Sequence, residues 1–198
     1  RANNMTFRIV RLKDILLPPG TPGVKMDPLN LKETVYFSAF DNITKNNGYY
    51  FKEIGKRKPV MKQWIMEPVT FVYLNKAKNA PVMTYVKHNF TTSPDVWVTK
   101  DNFKTQSKVT DINPQQRDYN WGTAELVKWK SRTGRDVEGI LHKPENFDPA
   151  KKYPMIVYFY ETITDNLHTY RAPAPSRSTI NITFFTSNGY LVFTPDIY

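Results

Sequence analysis

The chain has 198 residues, enough for one large or two small domains with a core that needs no covalent staples. It has no cysteine, which excludes disulfides, thiolate metal sites and cysteine nucleophiles, and no apolar run approaches the roughly 18 residues that a helical membrane span needs. The formal net charge is +10, concentrated in roughly the first hundred residues. The basic side chains are scattered, and Lys56-Arg57-Lys58 is the one tight trio, so they read as a solvated, lysine-studded β surface and no nucleic-acid partner is expected.

Aromatic residues make up 14% of the chain, with 12 Tyr and 12 Phe, which favours β structure. Thr6 to Leu12 alternates like a strand, and Pro18-Pro-Gly-Thr-Pro-Gly23 is a loop by composition. Strands are expected over Glu33 to Phe40, Gly48 to Ile54 and Val60 to Ile65, with Asn47-Gly48 as the turn dipeptide between the first two. A second cycle has strands over Val69 to Leu74, Pro81 to Lys87, Asp95 to Thr99 and Ser107 to Ile112, with Asp101-Asn102 turning. Two consecutive four-strand cycles of roughly 40 residues have the spacing of propeller blades.

Asn113 to Asn120 is a polar linker, and the texture changes after it. Glu125 to Trp129 and Gly134 to Pro144 alternate around Gly134, which predicts a hairpin. Met155 to Tyr160 is a β-branched and aromatic run without alternation, the pattern of a strand buried on both faces of a parallel sheet. The segment from Ser178 to Phe185 fits a short helix or a strand, and Tyr190 to Thr194 is a second apolar strand. Two such strands about thirty residues apart suit a crossover connection. The fold class is therefore mixed: all-β blades over residues 1–122, then an α/β domain over 123–198. Neither end has a cap or a signal-peptide apolar region, so both read as cut.

Chemistry is sparse. There is no Gly-x-Ser-x-Gly, no glycine-rich phosphate loop, no His-Glu-x-x-His and no acidic metal loop. His88, His142 and His168 are far apart and read as surface or loop residues, and no cofactor or metal is called for. Sequons such as those at Asn42, Asn89 and Asn181 are expected by chance in so Asn- and Thr-rich a chain. Tyr160 stands out by position, at the carboxyl end of the first apolar strand, where ligands of open α/β sheets bind. A phenol there can donate to a developing oxyanion, although from pattern alone an aromatic residue capping the core is the favoured reading.

Ser93-Pro-Asp-Val-Trp-Val98 followed by Lys108-Val-Thr-Asp-Ile-Asn-Pro114 resembles the closing blade of the prolyl oligopeptidase family of serine peptidases, which includes dipeptidyl peptidase IV. Glu125 to Ser131, Gly134 to Pro144 and Lys151-Lys-Tyr-Pro154 resemble the entry into that family's α/β-hydrolase domain. The resemblance covers roughly residues 81–198 and implies the last propeller blades followed by a truncated hydrolase domain. It implies peptide hydrolysis through an acyl-enzyme in the parent protein, in a bacterial periplasm or envelope. It also implies that Tyr160 completes the oxyanion hole. Glu161-Thr-Ile163 stands where most members have glycines, so Tyr158 is the fallback if the register shifts. Ser, Asp and His of the triad would follow beyond Tyr198, leaving this segment inactive alone, with its open sheet edges covered by the rest of its chain or a partner. The rival readings are a non-catalytic binding module on the same scaffold, an esterase on it, and a basic β-rich nucleic-acid-binding domain.

Overall fold

The computed structural model describes residues 4–10, 12, 32–175 and 178–197; the predicted Pro18–Gly23 loop lies outside them. Two compact units divide the chain: Arg1–Lys87 with Asp95–Thr110, and His88–Pro94 with Asp111–Tyr198. Residues 111–122 thus fall in the second unit.

The first unit holds two four-stranded antiparallel meanders. β1 (Met5–Val10), β2 (Thr34–Asp41), β3 (Asn47–Glu53) and β4 (Met61–Glu67) lie side by side in chain order, as do β5 (Thr70–Lys76), β6 (Met83–His88), β7 (Asp95–Thr99) and β8 (Ser107–Lys108). Alternation sets the faces: Met83 and Tyr85 are buried in β6 while Thr84 between them is exposed. Tyr49, Ile65, Leu74, Met83, Tyr85 and Phe103 form one core fed by both meanders.

Phe103 reaches that core from a loop. Asn102 and Phe103 take left-handed backbone (φ 58° and 65°), and the Asp101 carboxylate holds the loop by accepting from Thr105 N at 2.9 Å and Thr105 Oγ1 at 2.7 Å. Its ring then lies 5.0 Å from Tyr85 and 5.8 Å from Tyr49. Burial pushes the Tyr85 phenol above its ordinary range. It donates to Gln106 Oε1 at 2.7 Å, which also accepts from Lys87 Nζ at 2.9 Å, while Gln106 Nε2 donates to Glu67 Oε1 at 2.6 Å. This Tyr85–Gln106–Lys87–Glu67 network is internally satisfied, as a half-buried network must be to be tolerated, whereas the buried indole N–H of Trp97 beside the same core has no hydrogen-bond partner.

Two expectations for this unit change. Asn47-Gly48 is not the turn: both residues lie in β3, and the chain reverses over Asn42–Asn46, with the Asp41 carboxylate accepting from Ile43 N at 2.8 Å and Lys45 in left-handed backbone (φ 62°). Glycine at 48 serves close approach instead, because a Cβ there would collide with the Ile65 carbonyl oxygen where the β3–β4 register slips. The predicted outer strand to Ile112 shortens to Ser107–Lys108, because a side chain replaces the ladder. Val109 N still donates to Val96 O at 2.8 Å, but Val96 N donates to Thr110 Oγ1 at 2.9 Å, and that hydroxyl donates to Asp95 Oδ1 at 2.7 Å.

The second unit is built on a mixed sheet in the order β11-β12-β10-β9. The predicted hairpin is β9 (Thr123–Lys130) and β10 (Asp136–Lys143), closed by Ser131 N donating to Arg135 O at 2.9 Å. β12 (Leu191–Pro195) runs antiparallel to β10 and parallel to β11 (Met155–Val157), the two parallel strands being joined through α1 (Ile182–Ser187). The 178–185 ambiguity resolves as helix, with Asn181 Oδ1 accepting from Phe184 N at 3.1 Å as the N-cap. The Asn113–Asn120 linker contains a 3₁₀ turn over Pro114–Asp118.

Burial in the sheet is uneven. Val192 and Thr194 of β12 are fully buried, whereas the expected doubly buried strand Met155–Tyr160 is not: it is regular only to Val157, with Met155 and Val157 exposed. Among the described residues β11 has a sheet partner on one side only, so its apolar side chains are those of an edge strand. β10 fits beside β12 because residue 139 is glycine; a Cβ there would lie 2.8 Å from the Phe193 ring and 2.9 Å from Pro195 Cα.

Two open antiparallel meanders followed by an open mixed sheet with a short helix make up the described residues.

Candidate functional site

Because β11 and β12 are parallel, their carboxyl ends lie at the same end of the sheet, and the chain leaves both there. Tyr158, Tyr160 and Asp196 all follow those ends, the position at which open α/β sheets bind ligands. Tyr158 extends the ladder, its N–H donating to Phe193 O at 3.0 Å. Its half-buried phenol donates to Ser178 O at 3.3 Å beside a hollow of about 290 Å³ that Arg171, Tyr170 and Thr194 also line. Burial holds the Arg171 guanidinium below its ordinary value, with Tyr158 acting in the opposite direction. Tyr160, two residues on, is 64% exposed. The two candidate tyrosines thus differ in kind: one phenol is engaged internally, the other is presented to solvent.

The backbone after Tyr160 turns sharply. Glu161 has φ 49°, a left-handed conformation that costs a residue with a β-carbon on the order of 1 kcal/mol. Bonds from beyond β12 hold this turn. Ile197 N donates to Glu161 O at 2.9 Å. Asp196 Oδ1 accepts from Ile163 N at 2.5 Å and from Thr164 N at 2.9 Å, and Asp196 Oδ2 accepts from Thr164 Oγ1 at 2.6 Å. Thr164 is buried, and its hydroxyl also lies 3.0 Å from Glu138 Oε1 of β10. Asp196 belongs to no catalytic or binding motif of the sequence. The available signal was an acidic residue directly after a buried strand, where an unpaired carboxylate would be costly.

A larger cleft of about 960 Å³ lies elsewhere in the second unit, lined by Trp121, Tyr170, Gln116, Asn113, Thr183 and Asn188 among others. Trp121 and Tyr170 stack at 5.2 Å with planes 11° apart, and Asn113 Nδ2 donates to the Tyr170 hydroxyl at 2.9 Å. Trp121 Nε1 donates to Phe90 O at 2.5 Å, and Gln116 Nε2 to Thr91 O at 2.8 Å. His88 Nδ1 accepts from Tyr170 N at 3.1 Å, which requires that nitrogen to be unprotonated; burial lowers the pKa of this imidazole accordingly. His142 is buried under the Phe90 ring, its pKa pushed down to about 4 chiefly by burial, and its Nδ1 lies 3.3 Å from Val192 O. Both histidines are thus packing elements. Among the described residues no group of His, Asp or Glu could hold a metal ion, and no helix is long and apolar enough to cross a membrane.

No family model and no curated protein matches the sequence. Solved structures do match the fold. The isopeptidase AtxE2 aligns at a TM-score of 0.61 with 14% identity, over 83% of this chain and 24% of its own. Acylaminoacyl peptidase of Pyrococcus horikoshii aligns at 0.59 with 14% identity, over 82% and 23%. Dipeptidyl peptidase 4 of Porphyromonas gingivalis aligns at 0.58 with 17% identity, over 82% and 22%. The chain has the fold of the corresponding part of peptidases of the prolyl oligopeptidase type, and spans less than a quarter of the length of each.

Proposed function

We propose that this chain is part of a serine peptidase that hydrolyses short peptides through an acyl-enzyme, and that it contributes the tyrosine of the oxyanion hole. The observation that carries the reading is the placement of Tyr160: exposed, just past the carboxyl end of a parallel strand, in a chain whose fold is shared with three peptidases. In such a reaction the serine oxygen adds to the peptide carbonyl, and negative charge collects on the carbonyl oxygen. A phenolic O–H aimed at that oxygen stabilises the tetrahedral species more than the ground state, which is what lowers the barrier. Tyr158 suits the role less well, since its hydroxyl donates to Ser178 O.

The nucleophile, its base and the orienting carboxylate would be supplied by the rest of the complete protein, as would the strand that covers the open edge of β11. Replacing Tyr160 by Phe in that protein is the direct test. One oxyanion donor is worth about 10²- to 10³-fold in kcat, so a loss of that order with KM little changed supports the assignment. A wild-type rate overturns it.

A further inference from the structure

Tyr160 sits on a turn that its own residues do not stabilise, and this raises the question of what fixes its direction. The local sequence Glu161-Thr-Ile-Thr164 has no glycine and no proline, yet Glu161 occupies left-handed backbone. A non-glycine residue persists there only when its surroundings over-determine it. The bonds described here come from the end of β12 and, through the Thr164 hydroxyl, from Glu138 of β10. Both oxygens of the Asp196 carboxylate are turned onto the start of the following 3₁₀ turn, gathering two backbone N–H groups and one hydroxyl, and the next residue, Ile197, bonds the Glu161 carbonyl. Asp196 N in turn donates to Glu138 O at 3.0 Å, which ties the clamp to β10. The side chain is 9% exposed, so these bonds form away from water, where charge-assisted bonds are at their strongest.

We infer that Asp196 is a positioning residue for the oxyanion donor: its carboxylate locks the Glu161–Thr164 turn and thereby holds Tyr160 in the direction the reaction needs. The inference rests on the reading of Tyr160 given above. Asp196 touches neither substrate nor nucleophile. It acts by fixing the backbone three to four residues downstream of the phenol. An oxyanion donor loses most of its value if it must reorganise during the reaction, so a small loosening of the turn should be felt in kcat rather than in substrate affinity.

The test is a double-mutant cycle in the complete protein between Asp196→Asn and Tyr160→Phe, with kcat expressed per active site titrated by a fluorophosphonate. Normalising in this way removes any loss that is merely unfolding. Asp196→Asn retains the size of the side chain and one acceptor but loses the charge. It is expected to lower kcat about 5- to 20-fold with KM within about 2-fold of wild type, and to have little further effect once Tyr160 is Phe. Asp196→Ala should lose more; if it does not fold, the Asn variant still decides. Equal fold-losses from Asp196→Asn in the Tyr and Phe backgrounds would overturn the positioning role while leaving Tyr160 as the donor. An unaltered kcat in Asp196→Asn would overturn it as well. An unaltered rate in Tyr160→Phe alone would instead remove the reading on which the inference stands.

Discussion

The two units solve the same problem, satisfying a sheet's backbone and hiding its apolar face, in opposite ways. In the first, every strand pairs with its neighbour in sequence, and turns such as Asp41–Asn46 reverse the chain within a few residues. In the second, the spatial order β11-β12-β10-β9 departs from chain order, and distant side chains do the tying: Trp121 reaches Phe90, Thr186 reaches Trp121, and Asp196 reaches Ile163 and Thr164. Local pairing makes a unit that can be repeated. Long-range ties hold a few groups in a fixed arrangement.

If that contrast is right, damage to the first unit should be greatest at its shared core. Phe103→Ala empties a position between Tyr49 and Tyr85 and should cost about 4 kcal/mol, read as a fall in the denaturant midpoint. Its size relative to mutations within a single meander would sharpen the view that both meanders share one core. In the second unit, Gly139→Val forces a side chain against Phe193 and Pro195 and should cost about 3 kcal/mol, measured in the same way.

His142 gives the second unit a pH dependence that the first should lack. Its folded pKa of about 4 lies below the ordinary 6.5, so the unfolded chain binds the proton more readily. The stability it confers is complete above about pH 6.5 and is lost as pH falls toward 4, by about 3 kcal/mol in all. His142→Gln should reduce the slope of unfolding free energy against pH across that window, leaving the part due to His88, whose pKa burial also lowers; an unchanged slope would remove His142 as a cause. At the small end, Lys130 and Asp136 pair at 2.6 Å across the β9–β10 hairpin, but both are largely exposed. Lys130→Ala should therefore change stability by no more than about 0.5 kcal/mol, and less in high salt.

The sequence made the first unit legible because its strands alternate over five to eight residues, a period that survives without knowledge of the partner. The Asn47-Gly48 pair departs from its turn reading for the complementary reason: Asn-Gly marks a turn by local preference, but here glycine answers to the Ile65 carbonyl on another strand, which no local window contains. In the second unit the hairpin was equally readable. Met155–Tyr160 was not, because an apolar run states that burial is wanted without stating what provides it, and β11 has β12 on one side only among the described residues. Tyr160 could be picked out by its place after a strand and by resemblance. Asp196 could not, since its meaning lies in two N–H groups more than thirty residues earlier.

The one-sided pairing of β11 also sets a clock. Tyr158 N–H faces β12 and is bonded to Phe193 O. By the alternation of a strand, the amides of Val157 and Phe159 face the other way. Hydrogen exchange along this short segment should therefore run slow and fast by turns, residue by residue. Whatever docks beside β11 would be recorded first as a slowing of the fast set, before any change reached the phenol of Tyr160.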